Sequence, residues 1–147
     1  MNRKLAVTAA AYLLPTFALG FVWHLVAFKA YYQALAIYRP DVIIPFGFLS
    51  MVLQAVLFSW VLDAAFIRVS GTGRRGLLFA SFGAVLSWTF TTLAVAAKNV
   101  MTSVPDYLVI ESAFTVVQWA IVGPLMTVVH ASRRSYTLRR PRNPRAA

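Results

Sequence analysis

Two ionisable residues stand where the sequence otherwise offers hydrocarbon. His24 sits in FVWHLVAFK, one turn before an apolar run ends, and Glu111 sits in PDYLVIESAF, one turn after another begins. At 1.5 Å of rise per helical residue, both lie about 6 Å inside the same boundary. An imidazole and a carboxylate at one depth can pair or share a proton. Ionisable groups inside a membrane are candidates for ligand binding or proton exchange by default. Lys98 is placed to join them from the end of the third apolar run, and Thr91 lies on the same face of that run. Gln54 and Gln118 each fall about 17 Å below the boundary, where their amides are expected to bond to each other. The structural alternative for all six is interhelical glue, at about 1 kcal/mol or less per hydrogen bond. Sequence alone leaves both open.

The elements that must hold these residues follow from composition. The chain has 147 residues, of which 60% are hydrophobic and 12% charged, whereas a soluble domain carries about a quarter charged residues. Runs without Asp, Glu, Lys or Arg extend from Leu5 to Phe28, Val42 to Leu62 and Leu77 to Ala97, and a fourth from Tyr107 to Val129 is broken only by Glu111. Each reaches the roughly 20 residues that a helix needs to cross a bilayer. Backbone groups in hydrocarbon must bond within their own segment, so the expected fold class is all-α. The prediction is a polytopic four-helix bundle with spans at about 5–28, 42–66, 77–97 and 107–129. It forms one transmembrane domain over 1–130, followed by a basic tail over 131–147. MNRK followed by LAVTAAAYLL and Ala18-Leu19-Gly20 also fits a signal peptide, but apolar character continues to Phe28, which favours a span.

Lys and Arg in short loops mark the cytoplasmic side. Arg3, Lys4, Arg68, Arg74, Arg75 and the tail arginines fall on one side, against Lys29, Arg39 and Lys98 on the other. Both termini are therefore expected in the cytoplasm. The net charge of +10 is concentrated in RRSYTLRRPRNPR. No folded module for reading nucleic acid surrounds that tail, so no nucleic-acid partner is expected. Arg133, Arg134, Arg139 and Arg140 are instead assigned to anionic lipid headgroups, at about 1 kcal/mol per cation near a charged leaflet.

Each span carries a stripe of small or polar residues: Thr16, Gly20 and His24; Gly47, Ser50 and Gln54; Gly83, Ser87, Thr91 and Lys98; Glu111, Thr115, Gln118 and Val122. Such stripes let helices approach closely, leaving the larger apolar side chains to lipid. Pro40-Asp41 and Pro105-Asp106 are expected to open the second and fourth spans, since proline suits a helix start and acids face its positive end. Lysine, Pro-Asp and glutamine recur in the same order in both hairpins, the pattern of a parallel duplication. Pro15, Pro45 and Pro124 fall inside spans and are expected to kink them. Tyr31, Tyr32, Tyr38 and Tyr107 at one boundary and Trp60 at the other read as an interfacial aromatic belt.

Other chemistry finds little support. The chain has no cysteine, which removes thiolate catalysis and thiolate metal sites. His24 and His130 are separated by most of the bilayer, about 25 Å or more, and cannot share one ion. Neither HExxH nor a paired Glu-x-x-His motif occurs. Gly71-Thr72-Gly73 lacks the strand, lysine and serine of a phosphate loop and reads as a turn. Asp63 is expected to pair with Arg68, Arg74 or Arg75. No metal, cofactor or enzymatic activity is expected.

RPDVIIPFGFLSMVLQAVLFSWV and AAKNVMTSVPDYLVIESAFTVVQWAIVGPL together resemble the small four-span inner-membrane proteins of bacteria. That resemblance implies the fold and the bacterial inner membrane, and carries over no activity. Two functional expectations result. One is a bundle that binds or transports a small ligand through an outward-facing polar pocket, alone or as a homo-oligomer. The other is an accessory or assembly subunit of a larger membrane complex.

Overall fold

The computed structural model describes residues 3–39 and 41–138, with side chains through Ser132. Within these residues the chain is helical and contains no strand. The elements are α1 (Arg3–Val22), a π-helical segment (Trp23–Ala27), α2 (Lys29–Leu35), α3 (Ile44–Ala65), α4 (Thr72–Ser87), a second π-helical segment (Trp88–Leu93), α5 (Ala94–Ala96) and α6 (Val104–Leu138). Four helical stretches are long and apolar enough to cross a membrane: Arg3–Ala27, Ile44–Ala65, Thr72–Ala96 and Val104–Ser132. Pro40, Arg139 and Arg140 lie outside the described residues, as do the side chains of Arg133 and Arg134.

The helices pack in the order α3, α1, α6, α4, with α1 and α6 side by side at the centre. α3 lies along α1 and α4 lies along α6. One end of the bundle carries the start of α1 and the α3–α4 turn, and is termed the termini end. The other carries α2 and the connections at 36–43 and 97–103, and is termed the hairpin end.

Sequence explains where the helices start and stop. α6 begins with Pro105 and Asp106 in its first turn, as proline geometry and the helix dipole favour. α3 begins at Ile44, and Pro45 occupies its first turn. Pro45 therefore starts that helix and does not kink it, a correction to the expectation from sequence. The helix starts after Asp41 because Pro45 already supplies the start signal. Gly71, at φ 77°, precedes α4 in a conformation that glycine adopts without strain. Arg75 closes the same turn, its guanidinium donating to Val69 O (2.8 Å) and Ile67 O (3.3 Å).

Arg75 is thus committed to the turn, and Asp63 does not take the arginine partner expected for it. Its Oδ1 lies 2.6 Å from Lys4 Nζ and 3.0 Å from His130 Nε2, tying α1, α3 and α6 together at the termini end. At the hairpin end the connection at 97–103 is joined to the end of α2. Thr102 donates from its amide to Leu35 O (3.1 Å) and from its hydroxyl to Ala34 O (2.8 Å), satisfying carbonyls that the end of α2 leaves open.

Two buried clusters hold the bundle. Tyr12, Ala55, Phe58, Leu62, Phe79, Trp119, Val122 and Met126 fill the half towards the termini end. Tyr32, Leu35, Tyr107 and Ile110 fill the hairpin end. Tyr32 and Tyr107 are almost wholly buried, so they do not belong to an interfacial belt; Tyr31 and Trp60 are exposed as a belt requires. Tyr32 and Tyr107 point inward and each hydroxyl finds an acceptor within the bundle, described below.

Candidate functional site

A cavity of about 790 Å³ lies among α1, α3, α4 and α6. It exists because α3 and α4 converge only near the termini end. There Phe58 meets Phe79 at 6.4 Å between ring centres, and Phe66 meets Phe79 and Phe82 at 5.4 and 5.7 Å. Towards the hairpin end Gly47, Phe48 and Ser50 of α3 face the cavity from one side, and Ser87, Phe90 and Thr91 face it from the other. Phe58 lines the cavity towards the termini end, and Trp119 backs it, the two rings meeting edge to face at 4.8 Å.

The polar wall is built on α1 and α6. His24 Nδ1 lies 2.9 Å from Gly20 O. A carbonyl oxygen can only accept, so Nδ1 carries a proton and donates it. His24 Nε2 then faces Glu111 Oε1 at 3.2 Å. Two lone pairs at that distance would repel, so a proton must lie on the Nε2–Oε1 line. Either an imidazolium donates to a carboxylate, or a carboxylic acid donates to a neutral imidazole. The pair is neutral in sum in both forms.

Tyr32 Oη donates to the same Glu111 oxygen at 2.7 Å. Burial first, and Glu111's charge second, hold the Tyr32 phenol above its usual range, and the same two causes raise Tyr38. Tyr32 keeps its proton and serves as the donor to Glu111. Tyr38 stacks on Tyr32 with ring centres 5.3 Å apart and lines the cavity. The chain reaches it through Ala36, whose left-handed φ of 56° costs an alanine about 1–2 kcal/mol. Strain at that turn is offset by the Tyr32–Tyr38 stack and by the Thr102 bonds.

Both π-helical segments border this space, one carrying His24 and the other Phe90 and Thr91. A π turn inserts one residue into the helical register, and its poorer hydrogen bonding is tolerated most often where a side chain must be re-aimed at a functional site. In the first, Phe28 N bonds to Trp23 O at 3.0 Å. Beside the second, Tyr107 Oη donates to Thr91 O at 2.8 Å, an acceptor that the altered turn makes reachable.

His24 and Glu111 thus meet as their depth implied. Gln54 and Gln118 both line the cavity but do not bond to each other, a further correction. Tyr12 Oη donates to Gln54 Oε1 at 2.7 Å, and Gln118 Nε2 donates to Thr16 Oγ1 at 3.4 Å. α1 stands between α3 and α6, so each amide finds an α1 hydroxyl first. Thr91 lines the cavity with its hydroxyl donated to Ser87 O (2.8 Å). Lys98 is exposed beyond α5 and is not part of the lining, because the helix has already ended at Ala96.

Tyr12, Tyr32 and Tyr38 were missed as site residues. A signal for Tyr12 existed: Thr8, Tyr12, Thr16, Gly20 and His24 follow one another at intervals of four, and the first four are buried. Tyr32 and Tyr38 carry no such signal, since their approach depends on α2 folding back over the bundle. Among the described residues no group of three His, Asp or Glu could hold a metal ion.

Fold and site together define a helical bundle of membrane-spanning proportions around a largely apolar cavity with one neutral, proton-sharing cluster. No protein-family model, curated protein or solved structure matches the chain.

Proposed function

We propose that the protein is a multi-pass membrane protein that binds a small molecule in this cavity, with His24 and Glu111 holding its polar group. The observation that carries the proposal is the His24–Glu111 pair on the wall of a space of about 790 Å³, with the buried Tyr32 donating to Glu111 from behind it. That volume falls within the range of about 300–1,000 Å³ typical of ligand sites, which are mostly apolar with a few fixed polar groups. Interhelical glue needs no such space. Gln54 of α3, Gln118 of α6 and Thr91 of the second π-helical segment supply further amide and hydroxyl groups around the same cavity.

The bacterial inner membrane, with both termini in the cytoplasm, is the location that the cation distribution and the resemblance support. The tail arginines then meet anionic headgroups on that side. The hairpin end, and with it the wide half of the cavity, faces outward. Nothing in the cluster calls for covalent chemistry, and we assign no enzymatic step to it.

Native mass spectrometry after mild extraction tests the proposal. Wild type is expected to carry a small-molecule mass that is lost in Glu111→Gln, while the variant accumulates normally. Glutamine keeps an acceptor for Tyr32 but cannot take part in the proton-sharing pair. A protein free of small molecules that comes away with other polypeptides would overturn the proposal in favour of an accessory subunit.

A further inference from the structure

The chemistry of the lining narrows the occupant, and this step rests on the cavity being a ligand site. Apart from phenols, His24 and Glu111 are the ionisable groups of the lining among the described residues, and one shared proton makes them neutral in sum. Lys98, the nearest cation expected from sequence, stands outside. No net charge is therefore available to hold a phosphate, a carboxylate or an ammonium group away from water, where an uncompensated ion is costly. Ser50, Gln54 and Gln118 offer neutral donors and acceptors instead.

Size and access point the same way. At about 30 Å³ per non-hydrogen group, the cavity holds roughly two dozen atoms, enough for one hydrocarbon chain with a compact head. At the hairpin end Tyr38 and Val42 line the cavity, and Thr102 holds the 97–103 connection against α2. The side left open between described elements is the gap between α3 and α4, flanked by exposed Ile44, Phe48 and Phe90. In a bilayer that gap faces acyl chains.

We infer that the cavity takes an uncharged, single-chain amphipath from the surrounding leaflet, with its hydrogen-bonding head at the His24–Glu111 pair and its chain leaving between Phe48 and Phe90. Gly47 gives a clean means of blocking it. A Cβ built there meets no atom within 4 Å, although Gly47 lines the cavity. That open space leaves room for Gly47→Trp to set its ring in the mouth.

The test is photolabelling of the full chain in lipid nanodiscs with a long-chain alcohol that carries a diazirine in its chain. Labelled peptides are mapped by mass spectrometry. The expected result is labelling on the facing surfaces of α3 and α4, reduced at least fivefold by Gly47→Trp with the melting temperature unchanged. An unlabelled monoacylglycerol is expected to compete. An anionic lysophosphatidylglycerol and a cationic alkyltrimethylammonium of equal chain length are not. Equal competition by either charged amphipath would overturn the neutral head, and labelling insensitive to Gly47→Trp would overturn the lateral route. If the Glu111-dependent mass persists while the alcohol fails to label, the ligand site stands and only its chain-bearing class is lost. If both fail, the site itself is lost.

Discussion

α4 takes part in two contacts of opposite character. Against α6 it packs with no room to spare. A side chain on Gly83 would come within 2.1 Å of the Trp119 ring, and one on Gly123 within 2.4 Å of Ala80 Cβ. Trp119 Nε1 donates to Ser87 Oγ (3.0 Å) and Trp88 Nε1 to Ser112 Oγ (2.9 Å) across the same seam. Against α3 it meets aromatic rings near the termini end and then parts from it. The small residues look alike in sequence, yet Gly83 is buried under an indole while Gly47 faces open space. Small residues thus serve two ends in these apolar helices: bringing backbones together, and leaving a space unfilled. What surrounds the glycine decides between them.

The largest effect should come from breaking the closed seam. Gly83→Leu forces Trp119 from its place and breaks its bond to Ser87. Overpacking costs about 1–3 kcal/mol, occasionally more, and the lost hydrogen bond adds about 1 kcal/mol. Thermal unfolding in detergent should show a strongly lowered midpoint or a failure to accumulate. A melting temperature equal to wild type would mean that α4 and α6 do not pack through this glycine.

The cavity wall should respond less, and in a different way. Glu111→Ala leaves the Tyr32 hydroxyl and His24 Nε2 without their shared partner. Each unsatisfied buried group costs about 1–3 kcal/mol, tempered here because the cavity can admit a substitute partner. Glu111→Gln should recover most of the stability and none of the proton sharing. Comparing the two melting temperatures separates the structural share of Glu111 from any share in binding. If Gln destabilises as much as Ala, ionic or proton-sharing character itself holds the helices, and the glue alternative gains.

How far this contrast could be read in advance follows from what each feature depends on. Four long apolar stretches and the equal depth of His24 and Glu111 depend only on helical rise and charge spacing. The order α3, α1, α6, α4 depends on which stripe fits which, and that order decides that Gln54 and Gln118 each meet an α1 hydroxyl. The two π-helical segments and the left-handed Ala36 have no local signal of the kind that glycine or proline provides. Ala36 carries the chain to Tyr38 on the cavity, so that residue was hidden for the same reason, whereas the stripe of the third span already named Thr91. Asp63 misled because nearby arginines are abundant in sequence, whereas Arg75 is taken up by backbone carbonyls of its own turn.

The smallest expected effect is the most discriminating. Gly47→Ala adds one methyl group to an exposed position of α3 with no atom within 4 Å. Alanine is favoured over glycine inside a helix by about 1 kcal/mol, so the variant should melt at or slightly above the wild-type temperature. The same change at Gly83 should lower it, since the new carbon would lie against the Trp119 ring. Opposite signs from one chemical change on two helices would establish that the space beside α3 is real and that the seam beside α4 is closed. A fall at Gly47 would mean that another helix or a second copy of the chain already fills the gap. The cavity would then be an interface, and its polar wall would be addressed to a partner and not to a ligand.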